Sequence, residues 1–145
     1  MATATALELE KGFALHPKLA AETIGIGPSV LSAVRLMNDA RYPWLVLIPR
    51  RANMHEFTEL QDNEQSLLLE EIRRCCELFK ALHKPARINI AMIGNVVPQL
   101  HVHVIARYRK DATWPRPVWG LGKSVPYTKE AGIASVTRYR QFFGF

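Results

Sequence analysis

The stretch Gln99-Leu100-His101-Val102-His103-Val104-Ile105 alternates polar and apolar residues until Ile105 breaks the pattern, the signature of a half-buried strand. Successive strand side chains point to opposite faces. The period therefore sends Leu100, Val102 and Val104 to a core and sets Gln99, His101 and His103 together on the other side. Residues two apart along a strand lie about 6.5–7 Å apart at Cα, close enough for two imidazoles and one amide to converge on a single tetrahedral anion. Gln and His bring neither strong strand propensity nor cheap burial, so three of them in register read as a site. A lone strand histidine is commonly structural, and His-x-His is also a metal-ligand spacing. The residues themselves leave anion handling and metal binding both open.

The rest of the chain can support such a strand. With 145 residues and 48% hydrophobic content it reads as one globular domain, 1–145, with a sizeable core. No run approaches the ~18–20 apolar residues of a membrane span, and residues 1–9 lack the basic start and apolar stretch of a secretory leader. Cys75 and Cys76 are adjacent, so on a helix they bridge badly and read as reduced thiols, which favours a cytoplasmic setting. The formal charge of +6 favours anionic partners. Its cations are scattered in short clusters such as Arg50-Arg51 and Arg73-Arg74, without the dense stripe and interleaved aromatics of a nucleic-acid interface. His16, His55 and His83 stand alone and read as structural.

Residues 99–105 resemble the signature of the histidine triad hydrolases and transferases, three histidines alternating with apolar residues. His101 and His103 fill the second and third polar positions, and Gln99 stands where the family has its first histidine. The resemblance continues to Arg107. Upstream, Asn38-Asp39 followed by Tyr42 to Arg50 is similar to the family's hairpin, and Asn89 through Asn95 is similar to the strand before the triad. It implies an α+β fold, a meander of four or five antiparallel strands with one long helix packed on it and a C-terminal helix, paired into a homodimer. It also implies hydrolysis of a dinucleoside polyphosphate, as in diadenosine tetraphosphate hydrolases, or of a nucleoside phosphoramidate. His101 would be the nucleophile, His103 the phosphate contact and leaving-group assistant, and Gln99 the residue that orients the nucleophile. Asn38, with Asp39 in reserve, is expected at the ribose, and Asn89, Asn95 and Arg107 at the substrate. No cofactor or resident metal is expected, Mg²⁺ entering only with a polyphosphate, and neither a membrane nor a nucleic acid is an expected partner. A second departure is Trp44, where many family members carry another histidine. With Gln99 and a short Gly94-Asn95 loop, it keeps open a second class, a nucleotide-binding module with little turnover; a metal site on His101 and His103 ranks last.

Imidazoles with an ordinary pKa near 6.5 suit phosphoryl chemistry near neutrality, one attacking phosphorus and the other donating a proton or hydrogen bond. Supporting elements are legible as strands over Ser32–Met37, Trp44–Pro49 and Arg87–Ile93, with Gly25–Pro28 a loop by its composition. Thr58/Gln61 and Asp62/Gln65 offer two capping boxes, the second opening a helix to about His83 with Leu68, Ile72, Cys75, Phe79 and Leu82 on its apolar face. A last helix spans about Thr128–Phe143 with Ile133, Val136 and Phe143 inward. Trp114 and Trp119 either cover the surface or, by the resemblance, reach towards a neighbour's site.

Overall fold

The structure, a computed structural model, describes residues 11–145; the leader reading for residues 1–9 lies outside these. Element order is α1 (Pro17–Glu22), β1 (Thr23–Pro28), β2 (Ser32–Met37), β3 (Trp44–Pro49), a 3₁₀ turn (Phe57–Glu59), α2 (Asp62–Leu82), β4 (Arg87–Ala91), β5 (Val102–Arg107) and α3 (Lys129–Phe143). The fold is α+β, as expected. All strand pairs are antiparallel in the order β1-β2-β3-β5-β4. The meander is therefore modified: α2 carries the chain across the sheet so that β4 takes the edge and β5 returns between it and β3.

Both faces of the central strands are covered, and every residue of β3 and β5 is buried. On one face Leu45, Leu47, Val102, Val104 and Ala106 join Leu68, Cys75, Leu78 and Phe79 of α2 in the larger core. On the other, Trp44, Val46, Ile48 and Ile105 form a smaller core with Leu19, Val97 and Val118. Ile105, which breaks the alternation, thus serves the second core. The face carrying the histidines is roofed by α1 and by the segment after β5.

α2 uses neither expected capping box: Gln61, one residue before Asp62, is the N-cap, and its backbone N–H donates to Glu64 Oε1 at 3.0 Å. Glu64 is itself buried and ion-paired with Arg51. Glu71 is also buried; its carboxylate accepts the Ser32 N–H at 3.2 Å, and burial raises its pKa. Gly25–Pro28, read as a loop, belongs to β1. Its glycines permit close approach: a Cβ on Gly27 would lie 2.7 Å from the Phe145 ring. α3 spans the expected residues, N-capped by Thr128, but presents Gly132 and Tyr139 to the interior and leaves Ile133 exposed. Gly132 lets the helix seat against Ile24, while Val136 and Phe143 pack against the larger core as expected. Both cysteines are free, Cys75 in the core. No helix among the described residues is long and apolar enough to cross a membrane.

Candidate active site

β5 begins at Val102, so Gln99, Leu100 and His101 form its lead-in and not its first residues. Alternation nevertheless holds: Leu100, Val102 and Val104 enter the larger core, while His101 and His103 line a cavity of about 610 Å³ on the opposite face. The two imidazoles lie edge to face with centroids 4.9 Å apart and are only 7% and 5% exposed. Such nearness in a water-poor wall makes their proton positions decisive.

Those positions follow from the partners. His101 Nδ1 lies 2.7 Å from the Gln99 carbonyl oxygen. A carbonyl only accepts, so Nδ1 carries the hydrogen and Nε2 keeps its lone pair. The Trp44 indole N–H donates to His103 Nδ1 at 3.0 Å. An indole N–H only donates, so His103 is protonated at Nε2. The rings are thus in opposite tautomers, one presenting a lone pair and the other an N–H. Burial, with His101 adding to it, pushes the pKa of His103 down to about 3, which keeps it neutral at physiological pH.

β3 positions the indole. Trp44 is in register with Ile105, and Val46 with His103, so Trp44 is a diagonal neighbour of His103 on the same face. Trp119, from the segment after β5, stands edge-on to His103 at 5.1 Å and to Trp44 at 5.8 Å and lines the cavity at 37% exposure. It meets His103 of its own chain.

The Gln99 side chain takes another direction. Its Nε2 donates to Ala14 O and its Oε1 accepts the His16 N–H, both at 2.8 Å. The amide ties the N-terminal segment to the sheet, while only the Gln99 backbone carbonyl orients His101. His16 in turn caps α1, its Nδ1 accepting from Lys18 N, with Pro17 in the first helical turn. Lys18, Leu19 and Glu22 of this helix line the cavity. α1 was missed in the sequence, although Pro at a helix start is a usable signal.

Asn38 and Asn95 line the cavity, as does Asp39. Asn38 Oδ1 accepts the Tyr127 N–H at 2.9 Å, which leaves its carboxamide N–H groups for a ligand. Asp39 is committed: its carboxylate chelates Arg41 and accepts the Val125 N–H at 3.2 Å. Burial alone would raise its pKa, but the Arg41 and backbone hydrogen bonds outweigh this and lower it. Together Asn38 and Asp39 bolt residues 125–127 across the cavity rim.

Asn89 and Arg107, expected at the substrate, do not line the cavity. Arg107 is buried and ion-paired with Asp111 at 2.7 Å, and it also donates to Asn89 Oδ1 at 2.9 Å and Arg116 O at 2.8 Å. Its guanidinium is consumed in fixing the loop after β5, which corrects the expectation for both residues. Among the described residues no group of three or more His, Cys, Asp or Glu is placed to hold a metal ion.

A family model, the HIT domain, matches residues 20–110. Among solved structures, a histidine triad protein from Bradyrhizobium japonicum is 42% identical, with a TM-score of 0.87 over 90% of this chain and 97% of its own. A histidine triad (HIT) protein from Sinorhizobium meliloti 1021 is 41% identical, with a TM-score of 0.88 over 91% and 98%. A histidine triad protein from Marinobacter aquaeolei VT8 is also 41% identical, with a TM-score of 0.89 over 91% and 96%. No curated protein matches the sequence.

Proposed function

Because this chain belongs to the histidine triad (HIT) family, we propose that it cleaves nucleotide-containing phosphoanhydrides or phosphoramidates through a nucleotidyl-histidine intermediate. A dinucleoside polyphosphate or an adenosine phosphoramidate is the substrate type. The observation that carries this reading is the pair of opposite tautomers on one cavity wall. His101 Nε2 attacks phosphorus, and the positive charge that develops on the ring is stabilised by the Gln99 carbonyl at Nδ1–H. His103 Nε2–H donates to an oxygen of the reacting phosphate, a fixed dipole aimed at developing negative charge. Water then attacks the same phosphorus and returns the bonding pair to His101.

The cavity volume, about 610 Å³, suits a nucleotide. Leu19, Ile93, Val96 and Val97 supply an apolar wall for the base, Asn38 a donor for a ribose hydroxyl, and Gly94-Asn95 polar groups for phosphate. No step requires a resident metal; Mg²⁺ enters with a polyphosphate substrate. The exposed edge of β4, with Ile90 on the strand and Met92 and Ile93 just after it at 41–49% exposure, is the surface through which two copies pair. Free thiols at Cys75 and Cys76 fit a reducing, cytoplasmic setting.

Hydrolysis assays on base-matched anhydride and phosphoramidate nucleotides test the proposal. His101→Ala is expected to lose about 10³-fold or more in kcat. Retention of wild-type turnover by that variant would overturn it. The engagement of the Gln99 amide away from the cavity favours one second reading, a nucleotide-binding module; tight binding by the wild type with no product would establish it.

A further inference from the structure

A nucleotidyl-histidine can form by cleavage of either a P–O or a P–N bond. Trp44 bears on that choice. An indole N–H cannot accept a proton, and it occupies His103 Nδ1 at 3.0 Å inside a buried aromatic cluster with Trp119. An imidazolium at His103 would set one N–H against another with no acceptor between them. Of the charged groups lining the same cavity, Asp39 pairs with Arg41 and Glu22 with Lys18. Neither carboxylate hydrogen-bonds to an imidazole. His101 Nδ1–H is held by the Gln99 carbonyl, and its Nε2 must present a lone pair to attack phosphorus, so it cannot also protonate the leaving group. Among the described residues lining the cavity, the cations Lys18 and Arg41 are held in these ion pairs, so the imidazoles offer hydrogen bonds but no acidic proton beside the leaving group.

We infer that Trp44 is a positioning residue that locks His103 as a neutral Nε2–H donor, and that this limits the site to substrates whose leaving group departs as a stable anion. The class is nucleotidyl phosphoanhydrides, including mixed anhydrides with a carboxylic acid, and not phosphoramidates. The inference rests on the nucleotidyl-histidine reading above and narrows it. The His101 Nε2 lone pair forms the N–P bond while the P–O bond to the leaving group breaks. The leaving oxygen keeps that electron pair and departs as phosphate or carboxylate without taking a proton. In the second step the oxygen of water bonds to phosphorus, the N–P pair returns to Nε2, and the proton of water passes to solvent. An amine leaving from a P–N bond would have to depart as an amide anion or be protonated first, and none of the described cavity residues is placed to supply that proton.

The test uses the full chain and nucleoside 5′-aryl phosphates of graded phenol acidity, beside a base-matched anhydride and an alkyl phosphoramidate. Wild-type kcat/KM is expected to fall steeply as the leaving phenol weakens. The anhydride should exceed the phosphoramidate by about 10²–10⁴-fold, the range a general acid supplies. Trp44→His, which offers Nδ1 a partner able to take a proton, is expected to flatten the series and narrow the ratio at least tenfold. ¹⁵N NMR of the wild type should show His103 unprotonated at Nδ1 and protonated at Nε2 between pH 5 and 8. Phosphoramidate turnover equal to that of the anhydride, a flat phenol series, or a protonated His103 Nδ1 would each overturn the inference. The NMR and wild-type series decide it even if the variant fails to fold. Absence of any turnover would instead defeat the underlying hydrolase reading, and this inference with it.

Discussion

Replacing Gln99 by alanine separates two functions of one residue. The backbone carbonyl that orients His101 remains, whereas the amide that holds Ala14 and His16 is lost. The expected result is a raised KM with kcat nearly unchanged, because α1 walls the cavity while the imidazoles themselves sit on and before β5. Two hydrogen bonds removed predict a loss of about 1–3 kcal/mol in urea unfolding. A fall in kcat with unchanged KM would place the Gln99 side chain in the chemistry instead. The histidine pair was legible in the sequence because period two assigns faces regardless of where the ladder begins. The direction of the Gln99 amide was not, since its partners lie more than eighty residues away. Trp44 was visible as a departure from the family pattern, but its meaning depends on a diagonal contact between β3 and β5 that a sequence does not display.

At the level of elements, β2, β3 and α2 were readable because their hydrophobic runs and flanking turn residues agree with one another. β1 was hidden by its glycines, which are present for close approach, Gly27 to Phe145 and Gly25 to Arg35, and not for a turn. Asn89 and Arg107 illustrate the converse. Their polarity suggested substrate, yet a guanidinium buried beside β5 needs several acceptors, and Asp111, Asn89 and Arg116 supply them. The edge strand β4 makes its own prediction. An unpaired edge flanked by exposed Ile90 and Met92 invites another strand. Ile90→Lys is expected to halve the mass seen by sedimentation while leaving the circular dichroism unchanged. A wild-type protein that already sediments as a monomer contradicts the pairing.

For the whole molecule, acid should be destabilising over a window set by two groups. His103 is depressed to about 3 by burial and His101, so the unfolded chain, with an ordinary imidazole near 6.5, takes up a proton that the fold refuses. Stability from this group is complete above about pH 6.5 and declines as pH falls towards 3. Asp111 acts lower. Burial works to raise its pKa, but Arg107 and the N–H groups of Tyr108, Thr113 and Trp114 prevail and hold it at about 2. Its contribution is present above about 3.9 and fades as pH drops through 2. Thermal unfolding should therefore show Tm falling steadily from pH 6.5 to 3; a flat profile there would mean that His103 is freely protonated in the fold. The most direct measurement is a rapid acid-free quench of one turnover with a nucleotide substrate, followed by mass mapping. Covalent catalysis predicts a nucleotidyl mass on the peptide bearing His101, absent in His101→Ala and accumulating when water attack is slowed. Product formation with no adduct on that peptide under those conditions would contradict it.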